Sequence, residues 1–111
     1  MFGLTEKDLE HILDGIKGFS EIEKAVIFGS RAMGNYKKGS DVDLVIYGKD
    51  ITGKTLYSLD NLLNEKLPLP YFFDVLQFEK INNEELVRHV REEGKEIFRR
   101  ENATGETKYT H

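Results

Sequence analysis

Leu9, Ile12, Leu13 and Ile16 lie three or four positions apart before Gly18, the spacing of one apolar helix face. Thr5 stands ahead of that run with Asp8 three residues on, close to a capping box at a helix start. A short apolar run over 24–28 (KAVIF) ends at Gly29 and predicts a buried strand. Residues 30–34 predict a short helix capped by Ser30, and the polar, glycine-bearing stretch 35–40 predicts a loop. Residues 41–47 (DVDLVIY) open with alternation and end almost wholly apolar, the pattern of a second strand. Leu56, Leu59, Leu62 and Leu63 then share one face of a helix over 52–66, which Pro68 and Pro70 stop. Residues 71–78 (YFFDVLQF) predict a third strand, and 82–100 a last amphipathic helix with Leu86, Val87, Val90, Ile97 and Phe98 inward.

The predicted order is αβαβαβα, an α/β chain with a small three-stranded sheet flanked by helices. One domain over 1–100 and a polar, mobile tail over 101–111 are expected. The 111 residues suffice for one core and are too few for two. Charged residues make up 32% and the apolar runs are short, so no segment is expected to span a membrane. The N-terminus lacks the pattern of a signal peptide, and the absence of cysteine removes disulfides and thiolate chemistry. A cytoplasmic location is therefore expected. The net charge of −4 gives no hint of the basic face that grips long nucleic acid, and suits a metal better than a polyanion.

Three acids change this plain picture. Asp41 and Asp43 flank Val42 in a predicted strand, and side chains two apart in a strand share a face. Two neighbouring carboxylates on a half-buried sheet repel each other and resist desolvation, so a cation between them is expected. Oxygen ligands on a rigid strand suit Mg²⁺, which draws its other ligands from water and phosphate. Asp74 is embedded in an otherwise apolar strand, where a carboxylate is costly unless paired or coordinated. Were that strand beside the second, three carboxylates could hold two Mg²⁺ ions, and Asp74 would be placed to receive the nucleophile's proton.

The turn after the first strand supplies an anion site. Gly29 lets backbone approach a phosphate, Ser30 offers a hydroxyl, and the N–H groups of the helix after it point outward. Arg31, Lys37 and Lys38 add positive charge on the same connection. Gly29, Ser30 and Arg31 are thus the candidate nucleotide-binding residues. A lone D-x-D pair or a lone Gly-Ser turn is commonplace; the signal lies in their placement on consecutive strands.

Gly29-Ser30, ten intervening residues, then Asp41-Val42-Asp43 resembles the G-S-x10-D-x-D signature of the DNA polymerase β-like nucleotidyltransferase superfamily. The stretch GSRAMGNYKKGSDVDLVIY is similar to the minimal nucleotidyltransferases of bacteria and archaea, and the likeness covers residues 5–100. It implies a mixed three-stranded sheet, Mg²⁺ on Asp41, Asp43 and Asp74, and ATP as donor at Gly29 and Ser30. It also implies a helical HEPN-type partner encoded alongside, with this chain as the antitoxin transferring AMP to a tyrosine or other hydroxyl of that toxin. A non-catalytic antitoxin that acts by binding alone, or transfer to a small molecule with a separate substrate-binding subunit, are the alternatives.

A competing motif is present. Residues 48–55 (GKDITGKT) match G-x-x-x-x-G-K-[ST], a phosphate-binding loop, and follow an apolar strand. Such a fold needs a larger parallel sheet of several βαβ units, and the motif leaves Asp41 and Asp43 unexplained. The segment is accordingly expected to be a strand-to-helix turn with Thr52 as cap. His89 is expected to be a surface or packing residue, and the aromatic cluster Tyr71, Phe72 and Phe73 to be core and strand.

Overall fold

The computed structural model describes residues 2–34, 41–100 and 107–109. Helix α1 (Glu6–Lys17) starts at the Thr5–Asp8 capping box, with Asp8 N–H donating to Thr5 Oγ1 at 3.0 Å, and buries Leu9, Ile12, Leu13 and Ile16. Strand β1 (Lys24–Phe28) leads through Gly29 into the one-turn helix α2 (Ser30–Met33). Here Gly29 is the cap and Ser30 the first helical residue, one position off the expectation. The loop 35–40, with Lys37 and Lys38, lies outside the described residues.

Strand β2 (Val42–Tyr47) is followed by α3 (Gly53–Asn61), capped by Thr52 as expected. The helix does not run on as α to residue 66. It widens into a π-helical turn, Leu62–Lys66, which keeps Leu63 buried and turns Asn64 toward the next strand. Strand β3 (Phe73–Gln77) follows, then α4 (Glu84–Glu93).

The expected final helix is half helix and half strand. Asn83 caps α4, the helix ends at Gly94, and Lys95–Arg100 forms β4. Gly94 is required there by close approach, since a Cβ on it would collide with the Val90 carbonyl oxygen. Ile97 and Phe98 are fully buried as expected, but from a strand. A bulge opposite Ala25 and Val26 lets these consecutive residues both join the larger core. A short β5 (Thr107–Tyr109) pairs with β4.

The sheet therefore has five strands in the order β3-β2-β1-β4-β5 rather than three. It is mixed: β2 and β3 are parallel, and the other pairs antiparallel. One face carries the main core, with Ile12 and Ile16 of α1 and Leu59 and Leu63 packed on Ile27, Leu44, Ile46 and Phe73. The other face is thinner, with α4 laying Val90 and Leu86 over Val26, Phe28 and Val45. Among the described residues, no helix is long and apolar enough to cross a membrane.

Candidate active site

Strand alternation decides which face each acid occupies. In β2, Val42, Leu44 and Ile46 belong to the main core, so Asp43 projects to the α4 side. In β3, Phe73 is fully buried in the main core, and Asp74 is exposed on the opposite side. Parallel pairing then sets Asp43 directly beside Asp74 in register, while Phe28 is its neighbour on β1. Asp41 immediately precedes β2, two residues before Asp43, and is exposed. All three acids stand at the end of the sheet where β1 finishes and β2 and β3 begin.

The electrostatics register this crowding. Asp43 is half-buried, and desolvation pushes its carboxyl above the usual carboxylate range. The negative charges of Asp74 and then Asp41 push it further the same way, with His89 opposing them. Asp43 is thus the centre of an anionic cluster that His89 relieves only in part.

The turn after β1 lies against this cluster. Gly29 has φ +75° and ψ −155°, a conformation open essentially to glycine alone. A Cβ at that position would overlap Asp43 Oδ2, so the acid occupies the space that any other residue would need. The two halves of the spaced motif are therefore in contact across adjoining strands. Ser30, half-buried, follows at once.

Arg31, a nucleotide-binding candidate, turns inward. It is 3% exposed, donates from Nη1 to the Phe2 carbonyl at 2.8 Å, and its guanidinium lies 4.9 Å from the Tyr71 ring centroid. Two residues contribute more than the sequence suggested. His89 turns inward from α4, its ring edge-on to Phe28 at 6.1 Å and its charge felt by Asp43. The signal was its spacing, since Leu86, His89 and Val90 share one face of α4. Asn64 grips the strand that carries Asp74, donating to the Phe73 carbonyl at 2.9 Å and accepting from the Phe73 N–H at 2.7 Å. A depression of about 460 Å³ opens beside His89, lined by Asn83, Leu86, Arg88 and Glu92.

The phosphate-loop pattern over 48–55 lies past the far end of β2 and is filled by the protein's own carboxylates. Gly48 N–H donates to Glu79 Oε2 at 3.1 Å and Lys49 N–H to Glu23 Oε2 at 3.4 Å. The Thr55 hydroxyl, 3% exposed, donates to Glu21 Oε2 at 2.6 Å, and Thr52 and Thr55 cap each other. The segment is a capped turn.

Residues 10–103 match the family model described as polymerase beta, nucleotidyltransferase. The chain belongs to the polymerase β-type nucleotidyltransferase family. No curated protein matches this nucleotidyltransferase-family chain. Its fold is shared with solved structures. One is a toxin–antitoxin with AMP-PNP, at 20% identity over 84% of this chain and 72% of that one, TM-score 0.65. Another is the toxin–antitoxin MntA–HepT, at 16% identity over 83% and 70%, TM-score 0.63.

The nucleotidyltransferase fold implies a divalent metal. Among the described residues no group of three or more His, Asp or Glu side chains is gathered closely enough to form a metal site unaided. The donor chemistry nevertheless fits a hard cation that keeps water and phosphate ligands. All three candidates are carboxylates, and two stand in register on neighbouring strands, with Asp43 crowded by like charge.

Proposed function

We propose that the chain transfers AMP from ATP to a hydroxyl of a protein partner, a tyrosine of a HEPN-type toxin being the leading acceptor. The observation that carries this reading is the in-register placement of Asp43 and Asp74, with Asp41 adjoining and Gly29 packed on the Asp43 carboxylate. The family membership supports nucleotidyl transfer as the reaction class. The toxin–antitoxin neighbours favour a protein acceptor.

Asp41 and Asp43 would hold Mg²⁺, with Asp74 completing the set. Magnesium bound there would neutralise charge on the triphosphate and on the departing pyrophosphate. Gly29 and Ser30 line the position of the triphosphate, where backbone can approach without a side chain intervening. Asp74, solvent-exposed, accepts the proton of the incoming hydroxyl. The acceptor oxygen bonds to the α-phosphorus as the bond to the pyrophosphate oxygen breaks, in line.

The test is incubation with ATP labelled on the α-phosphate, Mg²⁺ and the co-expressed partner. Label on the partner and equimolar pyrophosphate are expected, with an Asp41→Asn/Asp43→Asn variant slower by roughly 100-fold or more. Absence of label, together with undiminished neutralisation of the partner by that variant, would replace catalysis with simple binding.

A further inference from the structure

Arg31 sits one residue beyond Ser30, yet its guanidinium turns under the loop instead of out of it. Its donation to the Phe2 carbonyl and its stacking on Tyr71 keep it all but hidden from solvent. Tyr71 in turn donates its hydroxyl to Asp8 Oδ2 at 2.9 Å, and Asp8 is the residue that closes the capping box of α1. Burial and the Asp8 contact both raise the Tyr71 phenol above its ordinary range, so it stays a neutral donor. Tyr71 lies three residues before Asp74, and Arg31 two residues after Gly29. One chain of contacts therefore runs from the start of α1 through Tyr71 and Arg31 to the Gly29–Ser30 turn.

We propose that Arg31 is a positioning residue that, through Tyr71, braces the Gly29–Ser30 turn against the start of β3 and so fixes the triphosphate site relative to Asp74. The inference rests on the nucleotidyl-transfer reading above and assigns Arg31 a part other than phosphate binding. Only a planar guanidinium can lie on an aromatic face while donating in its own plane to a carbonyl. A lysine keeps the charge and loses the brace. Displacement of reacting groups by about 1 Å costs roughly 100-fold in rate, so the brace acts on turnover.

The experiment compares Arg31→Met, Arg31→Lys, Tyr71→Leu and the Arg31→Met/Tyr71→Leu double variant in the transfer assay with the partner present. Each single variant is expected to lower kcat roughly 10- to 100-fold while the KM for ATP moves by less than about twofold. Arg31→Lys should not rescue, and the double variant should be no slower than the worse single, as one interaction lost once. A KM for ATP raised about tenfold or more in Arg31→Met, restored by Arg31→Lys and untouched by Tyr71→Leu, would make Arg31 a triphosphate ligand and overturn the proposal. Melting curves accompany each variant. Should a variant fail to fold, Tyr71→Phe, which keeps the ring and loses only the Asp8 bond, is read the same way with a smaller fall in kcat.

If the wild type transfers nothing, the functional reading fails by itself and the brace is read by amide hydrogen exchange. Faster exchange in Tyr71→Leu at both Ser30–Arg31 and Phe73–Asp74 supports it; exchange unchanged at either place overturns it.

Discussion

Asp43 shows how one side chain can work against the fold that holds it. Its carboxyl is raised by burial and by two like charges, so the folded chain binds that proton more tightly than the unfolded chain does. Stability from this group is whole below the ordinary value of 3.8 and is lost as pH rises through the higher folded value. In chelator, Asp43→Asn is therefore expected to melt a few degrees above the wild type at pH 7, with the gain vanishing as pH falls below about 4. Thermal melts across that range check it, and a variant no more stable at pH 7 would contradict the repulsion. The side that Asp43 takes was legible because alternation in DVDLVIY sets it opposite Val42 and Leu44, whereas Asp41 falls just before the strand. The adjacency of Asp74 was not, since it depends on which strand lies beside β2 and in what register. Asn64 was hidden for the same reason, and His89 showed only in its spacing along α4: their importance comes from what they face.

At the scale of elements, helix starts were the most readable features. Thr5 and Thr52 both cap where their side chains anticipate, because capping is a contact between residues three apart. Strand β4 was missed because Lys95–Arg100 offers only two adjacent apolar residues, which neither period identifies. The bulge in β4, opposite Ala25 and Val26, makes that unpatterned pair burial-competent, a property of two strands together. The π-helical turn was likewise invisible, and its clearest product is Asn64. Its amide stands in for a missing strand neighbour of Phe73, satisfying both backbone groups on the outer side of β3. Asn64→Ala leaves those groups to water or unpaired. A loss of about 1–3 kcal/mol is expected in urea denaturation, with slower turnover, since the next residue is Asp74.

Across the whole molecule the sheet separates two glycine-bearing turns at opposite ends of β2. At one, Gly29 packs against the Asp43 carboxylate, which Asp74 and Asp41 crowd with like charge. At the other, Gly48 and Lys49 have their amides taken by Glu79 and Glu23. Sequence alone finds a phosphate-binding pattern at both, and the tertiary arrangement shows the second with its amides already taken. Lys54→Ala is expected to leave ATP affinity by calorimetry unchanged within about twofold; a tenfold loss would place the nucleotide at the second turn instead.

The strand order also divides the acids unequally. Asp43 belongs to a strand bonded along both flanks, whereas Asp74 belongs to a strand at the rim, tethered along one flank and steadied by a single amide. One carboxylate is held along both flanks and the other along one. In the proposed transfer, any change in spacing as a polyphosphate comes and goes is expected on the Asp74 side.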